Sequence, residues 1–231
     1  MSENNVLNVT SEIGKLKTVM LHRPGKELEN LVPDYLEKLL FDDIPNLKNA
    51  IKEHDAFAQI FKENGVEVVY LEDLTSESIT DKDIRNKFID ECLEEGNITG
   101  EGNKENLKEF FENFSNKELV DKMMAGVRKT ELPNRIMRSL SDMIDHDYPF
   151  ILDPMPNLYF TRDPFAVIGN GVSINRMKTD TRNRETIFAK YIFNYHPKFK
   201  NSQVPIWYNR DEKYPIEGGD ILILNKNTLA I

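Results

Sequence analysis

The sequence predicts a mixed α/β protein, because the chain falls into three regions with different hydrophobic patterns. Residues 1–74 alternate between strand and helix signals, and residues 75–148 carry almost only helical signals. Strand and helix signals return over residues 149–231. We therefore predict a first α/β module, an inserted helical bundle, and a second α/β module followed by the beginning of a third.

The first region is predicted to form a strand, a helix and a second strand. Residues 16–21 have a strand pattern and end at a turn signal of Arg, Pro and Gly. Apolar residues then recur at helical spacing over residues 44–61, with Pro45 at the start and Gly65 after the end. Residues 66–71 are the second strand, so the helix is expected to pack on a small sheet.

The second region is predicted to be a run of helices. Thr80 precedes a helical pattern over residues 84–93, and Ser115 and Glu118 have the spacing of a capping box. Pro133 opens a further helical stretch. Because almost no strand signal separates these stretches, we expect a small helical bundle.

The third region is predicted to contain two hairpins and a helix. Residues 165–174 have the pattern of a hairpin with a Gly-Asn-Gly turn, and residues 186–195 are helical until Pro197 stops them. Residues 221–231 have the pattern of a second hairpin, which ends in an apolar strand without a polar tail. That ending predicts that the chain is a fragment of a longer protein.

Composition and charge favour a cytoplasmic protein. The chain has 30 Lys and Arg residues against 39 Asp and Glu residues, a net charge of −9, and the charges are interspersed. This balance argues against a nucleic-acid partner. No apolar run approaches the roughly 18 residues that a membrane span needs, and the N-terminus lacks the segments of a secretory signal. We expect no membrane contact, and the sequence leaves homo-oligomer formation open.

The residues that commonly carry metal or covalent chemistry show no matching pattern. The four histidines lack the paired spacing of a metal site, and Gly169-Asn-Gly171 lacks the third glycine of a dinucleotide-binding loop. Cys92 falls at the helical spacing of Phe88, which predicts a buried core residue rather than a nucleophile. The sequence therefore implies no metal and no nucleotide cofactor.

Three polar motifs are candidates for binding or chemistry. The proline-rich segment 153–165 predicts a rigid loop that carries Asp163, although Asp-Pro is also a common turn. Glu217-Gly-Gly-Asp220 places two carboxylates before a strand, or is an ordinary hairpin entry. Arg182 is either a carboxylate ligand or a structural residue. Together they match a zwitterion with a cationic end, because carboxylates pair with a guanidinium and arginine pairs with an α-carboxylate.

Five segments of the chain resemble the bacterial arginine deiminases in order and approximate spacing. They are residues 11–20, 39–43, 156–163 (Pro-Asn-Leu-Tyr-Phe-Thr-Arg-Asp), 182–186 (Arg-Asn-Arg-Glu-Thr) and 217–220 (Glu-Gly-Gly-Asp). The resemblance is to the N-terminal half of such an enzyme. It implies an α/β fold, a pseudo-fivefold propeller of strand-helix modules around a central active site, with an inserted helical bundle. It also implies L-arginine as the substrate and no metal or organic cofactor.

The resemblance also implies roles for individual residues. Asp163 would grip the guanidinium of the substrate, and Glu217 would pair with the catalytic histidine of the family. Arg182 would bind the α-carboxylate of the substrate. The remaining implied roles are pocket walls and support: Asn157, Phe160 and Leu40 around the substrate, and Asp220 beneath the Glu217 turn.

In this family a cysteine thiolate attacks the guanidinium carbon, ammonia leaves, and water hydrolyses the covalent intermediate to citrulline. The corresponding histidine and cysteine motifs lie outside these 231 residues, and Cys92 belongs to the helical insertion. We therefore predict no turnover by this chain alone. Two alternatives stay open: a related deiminase or amidinotransferase acting on another guanidine such as agmatine, and a non-catalytic binding module. The Arg182 motif favours a substrate with an α-carboxylate.

Overall fold

The computed structural model describes residues 6–96, 98, 100–132 and 148–231. Within these ranges it shows helices together with small sheets of two or three strands, which confirms the predicted mixed α/β class. The propeller stays a prediction, because the described strands form separate small sheets. Among the described residues, no helix is both long enough and apolar enough to cross a membrane.

The first region forms the predicted strand-helix-strand unit. Its elements are β1 (Thr18–Leu21), α1 (Lys26–Glu29), α2 (Leu47–Glu63) and β2 (Glu67–Tyr70). β1 and β2 pair in parallel, with Val19 opposite Val68. Asn46 caps α2 by accepting a hydrogen bond from the Asn49 N–H at 3.0 Å. Gly65 follows the helix at φ +73°, a left-handed conformation that glycine adopts without a steric penalty.

Two 3-10 turns, which the sequence pattern does not predict, lie between α1 and α2. They span Pro33–Tyr35 and Glu37–Leu39. Leu39 is 1% exposed and packs in a small apolar cluster with Leu28 and Leu31. This cluster fixes the start of the segment that carries Leu40.

The described helices of the second region begin directly after β2. They are α3 (Leu71–Ser78), α4 (Lys82–Glu94), α5 (Glu101–Glu112) and α6 (Asn116–Ala125). Leu71, predicted as the end of a strand, instead begins α3. Glu72 and Asp73 lie in the first turn of this helix, where acidic side chains are favoured. Leu71 and Leu74 are buried, so core packing supports the helix at this position.

The helix caps of this region partly match the sequence signals. The capping box of Ser115 and Glu118 is confirmed at the start of α6. α4 begins after Asp81, one residue beyond Thr80, because the Asp81 carboxylate accepts hydrogen bonds from two N–H groups of the first turn at 2.9 and 3.1 Å. The helical stretch predicted from Pro133 lies outside the described residues.

The elements that follow α6 include the predicted helix and both hairpins, which are confirmed. They also include a short strand, Val127–Arg128, in the region predicted to be a run of helices, where it pairs with a strand of the third region. They are β3 (Val127–Arg128), β4 (Phe150–Leu152), β5 (Phe165–Ile168), β6 (Gly171–Ile174), α7 (Asp180–Asn183), α8 (Glu185–Tyr195), α9 (Pro197–Lys200), β7 (Ile206–Tyr208), β8 (Leu222–Asn225) and β9 (Thr228–Ala230). β5 pairs with β6, and β8 with β9, in antiparallel register, while β7 joins β6 in parallel. Pro197 follows the predicted helix and also opens α9.

One hydrophobic core joins the second and third regions. Phe88 of α4 is fully buried, and its ring centroid lies 5.7 Å from that of Phe188 and 5.1 Å from that of Tyr191, both on α8. Leu107 of α5 and Met123 of α6 are fully buried in the same cluster. The helices therefore support the scaffold from which the loops around β5 and α8 project. The predicted division of the chain into three parts stays a prediction.

Candidate active site

The loop that leads into β5 holds Asp163 in a fixed position. Residues Pro156–Tyr159 form a 3-10 turn, and the Asp163 N–H donates to the Phe160 carbonyl at 3.1 Å. The side-chain amide of Asn175 donates to the Asp163 carbonyl at 2.7 Å. The backbone of this loop is therefore pinned beside the β5–β6 hairpin, while the Asp163 side chain keeps 27% of its surface exposed.

The Asp163 carboxylate binds the guanidinium of Arg182. Arg182 Nη1 lies 3.0 Å from Asp163 Oδ2, and the other edge of the guanidinium donates to Glu185 at 2.8 to 3.2 Å. Arg182 is 9% exposed and Glu185 is 2% exposed. One arginine thus links two carboxylates in a network that is largely shielded from water.

Glu185, the first residue of α8, is a site residue that the sequence analysis missed. Burial raises the pKa of its carboxyl to about 7, although the hydrogen bonds from Arg182 favour the charged form. A carboxyl of this kind gains or loses its proton near neutral pH. Its position three residues after Arg182, at a helix start, is the signal that could have identified it, because such side chains lie on one face.

The Glu217 turn lies against the Asp163 loop. The Gly218 N–H donates to the Asp163 carbonyl at 3.1 Å, which brings two motifs from separate parts of the sequence into contact. Glu217 is half-buried, and its Oε1 accepts a hydrogen bond from the Lys178 N–H at 3.0 Å. The Glu217 N–H donates to Asp220 Oδ2 at 3.2 Å, so Asp220 contacts the turn that it is predicted to support.

Gly218 is required by the close approach of these two segments. A Cβ atom added to Gly218 would lie 1.8 Å from the Arg162 carbonyl oxygen, so a side chain would force the backbone to move. Gly219, in contrast, has no atom within 4 Å of an added Cβ. Only the first glycine of the pair therefore has a steric role, and it is the one that joins the Glu217 turn to the Asp163 loop.

Asn157 supports the segment that carries Leu40. Its side-chain amide donates to the Leu39 carbonyl at 2.9 Å, and the residue is buried. Leu40 follows at φ +58° and ψ +42°, a left-handed conformation that costs a residue other than glycine about 1–2 kcal/mol. It is also 47% exposed. A strained, exposed leucine that is held by a buried side chain supports the predicted role of Leu40 in covering a ligand.

Phe160 and Tyr159 form an exposed aromatic pair. Their ring centroids lie 4.0 Å apart with the planes tilted by 33°, and both side chains are partly exposed. Aromatic faces attract planar cations such as a guanidinium. Phe160 is therefore available for the substrate contact predicted for it, and Tyr159 extends the same surface.

The structure brings Asp163 into direct contact with Arg182 and joins the Glu217 turn and the Leu40 segment to the same loop through Gly218 and Leu39. It places Arg182 in a setting that the sequence does not predict. Both edges of the Arg182 guanidinium are bound by protein carboxylates. These bonds use three of the five N–H donors of the guanidinium, so an α-carboxylate would have to share Arg182 with Asp163 and Glu185. The roles of all these residues in substrate binding stay predictions.

His22 and Cys92 lie outside this site. The His22 ring nitrogens lie 3.2 Å from Glu27 Oε1 and 2.9 Å from Glu72 Oε2, in a cleft of about 640 Å³. Burial opposes the charge of His22, but the hydrogen bonds to both carboxylates raise its pKa to about 9. Cys92 is confirmed as a buried residue, and burial raises the pKa of its thiol. In the described part of the chain, no group of three or more His, Cys, Asp or Glu side chains could hold a metal ion.

Comparisons with known proteins agree with one another. The sequence model of the family described as arginine deiminase matches residues 37–231. The arginine deiminase of Clostridium perfringens (strain SM101 / Type A) is 60% identical over the whole chain, which covers 56% of that relative. The arginine deiminase of Streptococcus agalactiae serotype Ia is 56% identical over the whole chain and 57% of its own length. That of Streptococcus gordonii is 58% identical over 97% of the chain and 56% of its own length. The chain spans about half the length of the curated relatives that it matches.

Proposed function

This chain belongs to the arginine deiminase family, and from that membership we propose that it forms part of the active site of a hydrolase that converts L-arginine to L-citrulline and ammonia. The observation that carries the proposal is the Asp163 carboxylate, which accepts a hydrogen bond from the guanidinium of Arg182 at 3.0 Å. Asp163 lies on a pinned loop in backbone contact with the Glu217 turn. A partly exposed carboxylate that accommodates a planar guanidinium suits a guanidine substrate.

In the proposed reaction the two carboxylates have different tasks. Asp163 accepts N–H bonds from the substrate guanidinium and fixes its plane, so that a nucleophile reaches the guanidinium carbon from one side. Glu217 orients the histidine of the family, which moves the proton to the departing nitrogen. A cysteine thiolate forms a C–S bond, the C–N bond to a terminal amino group breaks, and ammonia leaves. Water then adds to the same carbon, the C–S bond breaks, and citrulline and the thiolate are released.

Cys92 does not fit the role of this nucleophile. It is 1% exposed, and burial raises the pKa of its thiol, so little thiolate forms at neutral pH. It also lies in the core cluster that contains Phe88 and Leu93, with no open side toward a substrate. We therefore propose that residues 1–231 alone do not turn over arginine.

One observation favours a second candidate substrate. Because Arg182 is bound by Asp163 and Glu185 on both edges, a guanidine without an α-carboxylate, such as agmatine, would leave Arg182 paired with Glu185. L-Arginine stays the first candidate, because the matched relatives are named arginine deiminases. Competition between L-arginine and agmatine for the same site would separate the two.

We also propose that the strand-helix units belong to a pseudo-fivefold propeller. The parallel pairs β1–β2 and β6–β7 support this, since in each pair the chain passes through a helix before it returns to form the second strand of the same sheet. The predicted cytoplasmic location is supported by the single cysteine of the chain, which matches a compartment where disulfides are rare.

The test uses the complete product of the gene that encodes this sequence. We expect this protein to form citrulline from L-arginine, and Asp163→Asn to lower kcat/KM by on the order of 100-fold or more, because the guanidinium is no longer oriented. Asp55→Asn is the matched control, since Asp55 is an exposed acid that also pairs with an arginine, Arg23. A folded protein that forms no product from L-arginine or agmatine would refute the proposal and would favour a non-catalytic binding module.

A further inference from the structure

We propose that Arg162 is a positioning residue, which holds the Glu217 turn at a fixed distance from Asp163, and that Glu12 anchors it. The inference rests on the proposed function, because it concerns the spacing of the two carboxylates that are proposed to act on a guanidine. Arg162 precedes Asp163 in the chain, yet its side chain reaches across to the turn that follows Glu217.

The Arg162 side chain joins three segments of the chain. Its Nε donates to the Gly218 carbonyl at 3.1 Å, and its Nη2 donates to the Ile221 carbonyl at 2.6 Å. Nη1 and Nη2 also donate to the two oxygens of Glu12 at 3.0 and 2.9 Å. These four hydrogen bonds use most of the five N–H donors of the Arg162 guanidinium, which is planar and rigid. We call this guanidinium with its bonds to Gly218, Ile221 and Glu12 the Arg162 fork. The Asp163 loop, the residues from Gly218 to Ile221, and the segment around Glu12 therefore cannot shift independently while these bonds are kept.

Gly218 is held by this fork on one side and by the Asp163 loop on the other. Its carbonyl accepts from Arg162 Nε, and its N–H donates to the Asp163 carbonyl at 3.1 Å. Two hydrogen bonds in opposite directions fix both peptide units that flank Gly218, as in paired strands. Since Glu217 directly precedes Gly218, the fork determines where the Glu217 carboxylate lies relative to Asp163.

Glu12 ties the fork to an N-terminal strap, residues 9–12. Glu12 Oε1 accepts a hydrogen bond from the Ile223 N–H at 2.9 Å, and the Glu12 N–H donates to the Ile223 carbonyl at 3.2 Å. The hydrogen bond from Arg162 lowers the pKa of Glu12, so this carboxylate stays charged beside the guanidinium. At its other end the strap pairs Val9 with Gly169, the residue after β5. The strap thus spans from the β5–β6 hairpin to β8.

A second arginine serves as a matched comparison. Arg23 donates to both oxygens of Asp55 at 2.7 Å, and this pair is as exposed as the Arg162 side chain. No hydrogen bond from the Arg23 side chain to a backbone carbonyl occurs among the described residues. Arg23 therefore reproduces the ion pair of Arg162 without its contacts to the backbone.

The first measurement is the kcat for L-arginine of the complete gene product. We expect Arg162→Lys and Arg162→Ala each to lower kcat by on the order of 100-fold, because a lysine carries the charge but cannot reach Gly218, Ile221 and Glu12 together. Arg23→Ala should change kcat by less than about 2-fold, since exposed ion pairs are weakly coupled to their surroundings. Recovery of kcat in Arg162→Lys would overturn the proposal, because charge alone would then suffice.

The second measurement does not depend on turnover. In the same protein labelled with [15N]glycine, Arg162→Lys should shift the Gly218 amide signal and speed its hydrogen exchange, while Arg23→Ala should leave it unchanged. An unchanged Gly218 signal in Arg162→Lys would show that the fork does not position the turn. If the unsubstituted protein forms no citrulline, the proposed function fails, and the amide signal still decides whether Arg162 positions the Glu217 turn.

Discussion

Arg162, which lies in the Asp163 loop, and Arg182, which binds the Asp163 carboxylate, are held in opposite ways, although each side chain forms four hydrogen bonds among the described residues. Arg182 is buried, and within the part of the chain that the structure describes its side chain donates to the carboxylates of Asp163 and Glu185 and to no other group. Arg162 is half exposed and donates to two backbone carbonyls as well as to Glu12. The contacts of Arg182 neutralise buried carboxylates that water does not solvate. Those of Arg162 hold the backbone in place at the surface, where water and salt screen the charge. The kind of acceptor and the exposure, rather than the number of bonds, determine what each arginine contributes.

Breaking the buried network is expected to have the largest effect. Arg182→Ala leaves Glu185 buried without its partner and should lower the free energy of unfolding by about 3–5 kcal/mol. Replacing Arg182 and Glu185 together with leucine should cost less, because neither member of the pair is then left buried without its partner. Urea unfolding followed by circular dichroism measures both variants. A single variant that is at least as stable as the double variant would contradict this account of the network.

Glu185 should also make stability depend on pH. Burial raises its pKa to about 7 in the folded protein, above the ordinary value of 4.5, so the folded state binds this proton more tightly than the unfolded chain. The contribution of Glu185 to the free energy of unfolding is therefore greatest below pH 4.5 and falls as the pH rises toward 7. Urea unfolding at several pH values measures this slope. Glu185→Gln should flatten this slope. An equal slope in both proteins would mean that a group other than Glu185 causes the pH dependence.

For the exposed fork, the sharpest test is steric. Gly218→Ala should lower the free energy of unfolding by about 1–3 kcal/mol, because its Cβ would overlap the Arg162 carbonyl and force the backbone apart. Gly219→Ala is the control, since an added Cβ there meets no neighbouring atom. Thermal unfolding of the two variants gives the comparison. Equal melting temperatures would mean that the Asp163 loop can move to accommodate the added Cβ atom at little cost in free energy.

The smallest effect is expected at Glu12. Glu12→Gln should change the free energy of unfolding by less than about 1 kcal/mol, because the ion pair with Arg162 is partly exposed. The loss should shrink further in 1 M salt, where the charges are screened. Since the pKa of Glu12 is lowered, its contribution is present above the ordinary pKa and is lost as the pH falls, opposite in sign to that of Glu185. A loss that does not change with salt would indicate a geometric role instead of a charge effect.

Local signals account for much of the scaffold. The β1-α2-β2 unit, the two hairpins and the Ser115 capping box depend on residues close together in sequence, and all are confirmed. α3 and the 3-10 turns before α2 could not be predicted in the same way. α3 places Leu71 in the large core with residues from other parts of the fold, and such packing overrides local preference. The 3-10 turns place Leu39 in a small cluster of residues between Leu28 and Ala50, whose irregular spacing follows neither a helix nor a strand period.

The site could be predicted as a set of motifs but not as a network. Asp163, Arg182 and Glu217 are marked by unusual residue types, and the structure brings their segments into contact. Glu185 and Arg162 lie within the same motifs, but local sequence shows at most that Glu185 can pair with Arg182, and it shows nothing of the contacts of Arg162. The role of Glu185 depends on burial, while the backbone acceptors of Arg162 lie 56 and 59 positions further along the chain.

The N-terminal strap has a consequence for the order in which the molecule assembles. The hydrogen bond from the Ile223 N–H to Glu12 joins residues 211 positions apart, and the Arg162 fork reaches Glu12 across 150 positions. Closing loops of this length costs chain entropy before the contacts compensate for it, and Ile223 is synthesised after its partners. Local helices can form earlier, since their contacts are short in sequence. A newly made chain would therefore form native-like helices before the Arg162 contacts fix the Glu217 turn beside Asp163, so the proposed ligand site would become ordered after these helices.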